Sequence, residues 1–169
     1  MKKRLITAIL ITTTFSQSIA LQICRNEAEI PSTAPDSKFI DNANGTISDK
    51  VTGLMWQKCT VGLSGSDCQT GNETLHTWQQ ALDEANSSTT GSHLDWRLPN
   101  VKELESLVEL QCYNPAINLS YFPNTVGVKF WTSSPKQDQT NYSWYVEFFY
   151  GLTDGDWRDF NPKVIRLVR

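Results

Sequence analysis

The chain has 169 residues and a formal net charge of −3, with 39% hydrophobic and 20% charged residues. A chain this long buries roughly 70% of its unfolded surface, enough for one compact core. The acidic balance excludes nonspecific nucleic-acid binding, which needs a surplus of lysine and arginine to neutralise phosphates.

Residues 1–20 read as a secretory signal peptide. Lys2, Lys3 and Arg4 form a basic n-region, Leu5 to Phe15 an apolar stretch, and Ser18 and Ala20 the small residues of a cleavage site before Leu21. The apolar run is too short for a membrane span, which needs about 20 residues. Bulky Ile23 before Cys24 argues against lipidation. The expected location is therefore secreted or periplasmic, with cell-surface association as a variant.

Residues 21–37 read as an irregular leader, because Pro31, Pro35 and several Ser and Thr residues interrupt any regular element. Residues 38–169 form the domain. Its first part, KFIDNANGTISDKVTGLMWQ, alternates short strands with turn signals at Asn44–Gly45 and Gly53. Residues 74–86 predict a helix with Thr77 as N-cap and Trp78, Ala81, Leu82 and Ala85 on its apolar face. Residues 100–110 predict a second helix. Pro99 sets its sharp start, Asn100 and Glu103 form a capping box, and Val101, Leu104, Leu107 and Val108 make its buried stripe. Strands are expected at FWTSS (130–134), along Tyr142, Trp144, Val146 and Phe148, and at the closing VIRLVR (164–169). Gly151 to Asp159 reads as a turn-rich loop. Strands, two helices and strands again give an α+β order.

The four cysteines are even in number in an exported chain, which implies two disulfides. Cys59 and Cys68 bracket a short Gly/Ser-rich loop and are natural partners. That leaves Cys24 with Cys112. Chain-entropy arithmetic assigns about 3 kcal/mol to the short loop and about 4.6 kcal/mol to the long one. A zinc site is disfavoured, since no CxxC spacing occurs.

Four segments carry a family resemblance: DNANGTISDKVTGLMWQKC at 41–59, TWQQAL at 77–82, DWRLPNVKELESL at 95–107, and FWTSS with the closing VIRLVR. In this order they resemble the Lcl C-terminal domain family, over about residues 38–169. The resemblance implies a fold of the C-type-lectin-like or formylglycine-generating-enzyme-like group, in which two helices accompany small antiparallel sheets. The namesake domain ends a collagen-like surface adhesin. Where the family's usual ending has a cysteine between two arginines, this chain has Leu167, so its disulfide pattern is its own.

Catalysis is not expected. His76 and His93 lie in a helix cap and a polar loop. Ser133 and Ser134 lack the Gly-x-Ser-x-Gly elbow. The enzyme branch of the fold group uses thiols, and all four cysteines here are committed to disulfides. Trp56, Trp96, Arg97, Pro99, Asn100, Glu103 and Trp131 are read as structural, with Arg97 clamping a carboxylate such as Glu103 or Asp49. Trp78 joins them in the core. A calcium ion is the one candidate cofactor, at Asp154, Asp156 and Asp159 or at Asp41, Asn44 and Asp49, against the alternative that these residues cap turns. Five Asn-x-Ser/Thr sequons, at Asn44, Asn72, Asn86, Asn118 and Asn141, are read as polar composition.

The expected role is an exported binding or adhesion module without catalytic activity. Tyr150, Trp157 and Arg158, in the loop YGLTDGDWRD, would hold an extracellular glycan or matrix-type ligand through aromatic faces and a guanidinium fork. Tyr145 joins them as a candidate exposed aromatic, and Trp144 is ambiguous. The alternative is a structural or accessory subunit of a surface or secretion assembly, contacting a surface protein or a second copy of itself through the same aromatics.

Overall fold

A computed structural model describes residues 21–169, and the signal peptide read at residues 1–20 lies outside them. The architecture is a small α+β domain with two α-helices, several small antiparallel sheets and two disulfides.

The first sheet joins β2 (Phe39–Asp41), β3 (Thr46–Asp49) and β4 (Met55–Gln57) as consecutive hairpins. Ile47 opposes Trp56, and both are fully buried. The β2–β3 turn places Ala43 and Gly45, rather than Asn44, at positive φ. Asn44 instead accepts from the Thr46 hydroxyl, closing the turn with its side chain.

The main sheet has the order β10-β9-β8, from β8 (Lys129–Pro135), β9 (Tyr142–Glu147) and β10 (Leu152–Trp157). Side chains alternate between its faces. Phe130 and Val146 enter one core cluster with Leu104, Leu107, Ile117 and Phe148. Trp131 and Tyr145 point the other way, into a second cluster with Ala81, Ala85, Trp96 and Leu98. The sheet therefore lies between two apolar layers, one per helix.

Helix α1 (Trp78–Ser87) starts at Thr77, which forms a capping box with Gln80. Ala81 and Ala85 are buried, while Trp78 and Leu82 pack at the cluster's edge. Helix α2 (Val101–Glu105) has the expected capping box between Asn100 and Glu103. It ends at Glu105, five residues short of the expected 110. Ser106 donates its hydroxyl to Glu103 O, the Leu107 and Val108 amides bond three residues back, and the Glu109 amide turns away to Ala116 O. Leu107 and Val108 remain buried, but on a tightened turn.

The leader is mostly irregular, yet β1 (Ile23–Cys24) pairs with β7 (Cys112–Tyr113), and the Cys24–Cys112 disulfide joins directly opposed residues. A second bridge, Cys59–Cys68, closes the loop that contains β5 (Leu63–Ser64), which pairs with β6 (Thr70–Gly71) just beyond Cys68. Buried Glu109 gathers the leader, accepting from the Ser32 hydroxyl and from the amides of Thr33 (3.0 Å), Ala34 (2.9 Å) and Gln111 (2.9 Å).

The closing VIRLVR, expected as a strand, forms no continuous one. It threads the middle of the molecule through single bridges: Val164 to Phe130, and Val168 to both Trp56 and Arg97. Arg166 is fully buried and donates to the carbonyls of Gln57 and Lys58 and to the Thr125 hydroxyl, with its guanidinium over the Phe122 ring. Among the described residues no carboxylate bonds it, and burial pushes its pKa down to about 9, against a raising field from Glu73.

Candidate functional site

The diagnostic DWRLPN run is structural. Trp96 and Leu98 enter the second core cluster. Arg97 turns outward and grips Glu103 with two bonds of 2.7 Å, while the Asn100 amide reaches the same carboxylate at 2.7 Å. Arg97 holds the Glu103 carboxyl below its ordinary pKa. Trp56 and Trp131 are fully buried, and the indole N–H groups of Trp78, Trp96 and Trp131 each reach a backbone carbonyl.

Residues 151–159 are not a loop. Leu152 to Trp157 form β10, paired along its length with β9. Apolar alternation is absent because the strand is an edge, with Gly155 and acids filling positions that a central strand would give to β-branched residues. The candidate ligand residues are therefore spread apart. Tyr150 sits in the β9–β10 turn, stacked on Tyr113. Trp157 lies at the opposite end of β10. Arg158 follows Trp157 but turns to the other face, where its guanidinium lies 4.2 Å over Trp78 and its Nε donates to Ser143. Tyr145 is buried rather than exposed.

Trp157 instead belongs to an aromatic strip. Its indole N–H donates to the Tyr142 hydroxyl, and Phe160 packs edge-on at 5.4 Å. The register puts Tyr142 opposite Trp157 and Trp144 opposite Gly155, so all three side chains share one sheet face. Lys136 sits 5.3 Å over the half-buried Trp144 ring. Trp157 is 41% exposed and Phe160 72%.

The acids of this segment serve the strand edge. The Arg158 amide pairs inward with Asn141 O, so the amides of Gly155 and Trp157 face outward. Each is met by the preceding side chain, Asp154 Oδ1 at 2.7 Å and Asp156 Oδ1 at 2.8 Å. Asp156 also pairs with Lys163 at 2.8 Å and accepts from Asn161, and these bonds hold its carboxyl below the ordinary range against the upward push of burial. Asp159 is exposed. Of the other acidic group, Asp41 pairs with Lys58, and Asp49 caps the Val51 and Thr52 amides. Among the described residues, no group of three His, Cys, Asp or Glu side chains is placed to hold a metal.

On the opposite face of β10 lies a cavity of about 640 Å³, with Glu73, Lys129, Glu147, Asp156 and Lys163 in its wall. Of these, the sequence reading singled out only Asp156. Its companions come from four separate segments, and their one local signal was the polar alternation of Ser143, Tyr145 and Glu147 on β9.

The fold and its disulfides define a small, disulfide-braced α+β domain, and no helix among the described residues is long and apolar enough to cross a membrane. The model of the Lcl C-terminal domain matches residues 45–169, and the chain belongs to that family. Comparison with curated proteins returns no match.

Proposed function

We propose that this chain is an exported, non-catalytic binding module that recognises an extracellular glycan through the aromatic strip of Tyr142, Trp144, Trp157 and Phe160. The observation that carries this reading is the exposure of Trp157 and Phe160 at the end of an edge strand, beside an ordered tyrosine hydroxyl. Ring faces of this kind stack on the apolar faces of sugars, and Lys136 and the Tyr142 hydroxyl supply polar partners. Arg158, engaged with Trp78 and Ser143, positions the strand end rather than the ligand. Tyr150 lies too far along β10 to join the same contact. The sugar is held without a metal. Two disulfides support a location outside the cytoplasm, where such bonds persist. The non-catalytic reading is supported by the engagement of the polar candidates: His76 bonds Thr74, His93 meets Arg169, and Ser134 accepts the Val101 amide. The arrangement of two helices about small sheets supports a place in the C-type-lectin-like group.

The test is a glycan array read with wild type and with Trp157→Ala and Phe160→Ala. Discrete sugar hits are expected, weakened about tenfold or more by either change, the loss typical of a stacked aromatic anchor. Melting temperatures should stay within a few degrees of wild type. An array without hits, together with self-association or capture of a co-secreted protein through the strip, would assign the domain to a surface assembly instead.

A further inference from the structure

The cavity on the other face of β10 has a charge pattern that its own residues do not balance. Its wall carries three carboxylates, Glu73, Glu147 and Asp156, against two ammonium groups, Lys129 and Lys163. Both lysines are accounted for. Lys163 is almost wholly buried, paired with Asp156 at 2.8 Å and lying 4.0 Å over the Trp131 ring. Lys129 lies 4.5 Å over the Tyr145 ring, and bonding to Tyr145 raises its pKa despite partial burial.

Glu147 lies opposite Lys129 in the strand register and Glu73 feels the charge of Arg166, but neither carboxylate is closely paired. Neither forms an ion pair within 4.0 Å among the described residues. Glu73 Oε1 is sealed from solvent without a hydrogen bond. A buried acceptor left unpaired costs about 1–3 kcal/mol, so such a group marks a place where a partner belongs. Burial pushes the Glu73 carboxyl above its ordinary pKa, and the charge of the buried Arg166 offsets this only in part. The same wall includes two exposed apolar side chains, Leu75 at 65% and Val128 at 41%. An apolar shoulder beside unpaired carboxylates matches an ammonium carried on an aliphatic stem.

We propose that this cavity binds an alkylammonium group, its stem against Leu75 and Val128 and its charge between Glu73 and Glu147. Such a group comes either from a lysine side chain of a partner polypeptide or from a free aliphatic amine. The site is separate from the aromatic strip, since the register puts Glu147 and Asp156 on one face of the sheet and Tyr142 and Trp157 on the other.

The experiment titrates Nα-acetyl-lysine amide, n-butylamine and Nα-acetyl-norleucine amide into the full mature protein, following amide signals of the cavity wall by NMR. Saturable shifts are expected with the two amines and none with norleucine. Glu147→Gln and Glu73→Gln, both isosteric, should each weaken amine binding about tenfold, as loss of a desolvated charge partner does. Should one variant fail to fold, the other gives the reading, and in wild type added salt must weaken the amine. Tighter binding of the blocked lysine than of butylamine assigns the cation to a polypeptide; equal binding assigns it to a free amine. The proposal is overturned by no saturable shift, by equal binding of norleucine, or by amine affinity unchanged in the folded variants. Trp157→Ala should leave amine binding intact, so the outcome is independent of the glycan reading.

Discussion

Single side chains in this domain often do the work of whole elements, and Glu109 is the clearest case. It holds the leader to the body with one carboxylate that collects five donors from residues 32–34 and 111. Burial alone would raise its pKa, but the bonds from Ser32, Gln111, Thr33 and Ala34 outweigh burial and lower it from 4.5. A carboxyl whose folded pKa is depressed contributes stability above its unfolded pKa and loses that contribution as pH falls through the folded value. Wild type should therefore lose stability as pH drops below about 4.5. Glu109→Gln should cost about 1–3 kcal/mol at neutral pH and flatten part of that acid slope, as measured by urea denaturation across pH. Glu103 was one of the two carboxylates, with Asp49, that the sequence offered to Arg97, because a capping glutamate six residues away is a local relation. Glu109 was not recognisable, because every donor except Gln111 is more than seventy residues distant.

At the scale of elements, the local rules worked where an element closes on itself. Helix α1 was legible in its cap and apolar face, since Thr77, Gln80, Ala81 and Ala85 all lie within three turns. Helix α2 was legible at its start but not at its end. Its apolar stripe continues past Glu105, and only the pairing of Glu109 with Ala116 decides that the chain leaves the helix. Strand β10 was missed because its identity rests on β9. Its acids shield an open sheet edge, a position that otherwise invites pairing with another chain. Asp154→Val, which frees the Gly155 amide and adds a β-branched residue, should raise concentration-dependent association at least about twofold, read by light scattering behind size exclusion. An unchanged monomer fraction would remove the shielding role.

At the scale of the molecule, the two disulfides and the threaded C-terminal segment close the fold from both ends. Cys24–Cys112 spans 88 residues and Cys59–Cys68 spans 9. In the chain-entropy picture the longer loop stabilises more, about 4.6 against about 3 kcal/mol. Replacing Cys24 and Cys112 together by serine should therefore lower the unfolding free energy more than replacing Cys59 and Cys68. Chemical denaturation of the two double variants checks the order, and a reversed order would place the greater constraint in the short loop. The sequence by itself determined the α+β class, the family, both disulfides, the helix caps and the core tryptophans. All of these follow from local periodicity, short motifs or the arithmetic of four cysteines. Only the tertiary structure decided that Trp157 and Arg158 face apart, that Asp154 and Asp156 cap an edge, and that Glu73 and Glu147 meet in one cavity. Those facts depend on strand register and on a C-terminal segment threaded through the centre, and pairing between distant segments leaves no periodic trace along the chain.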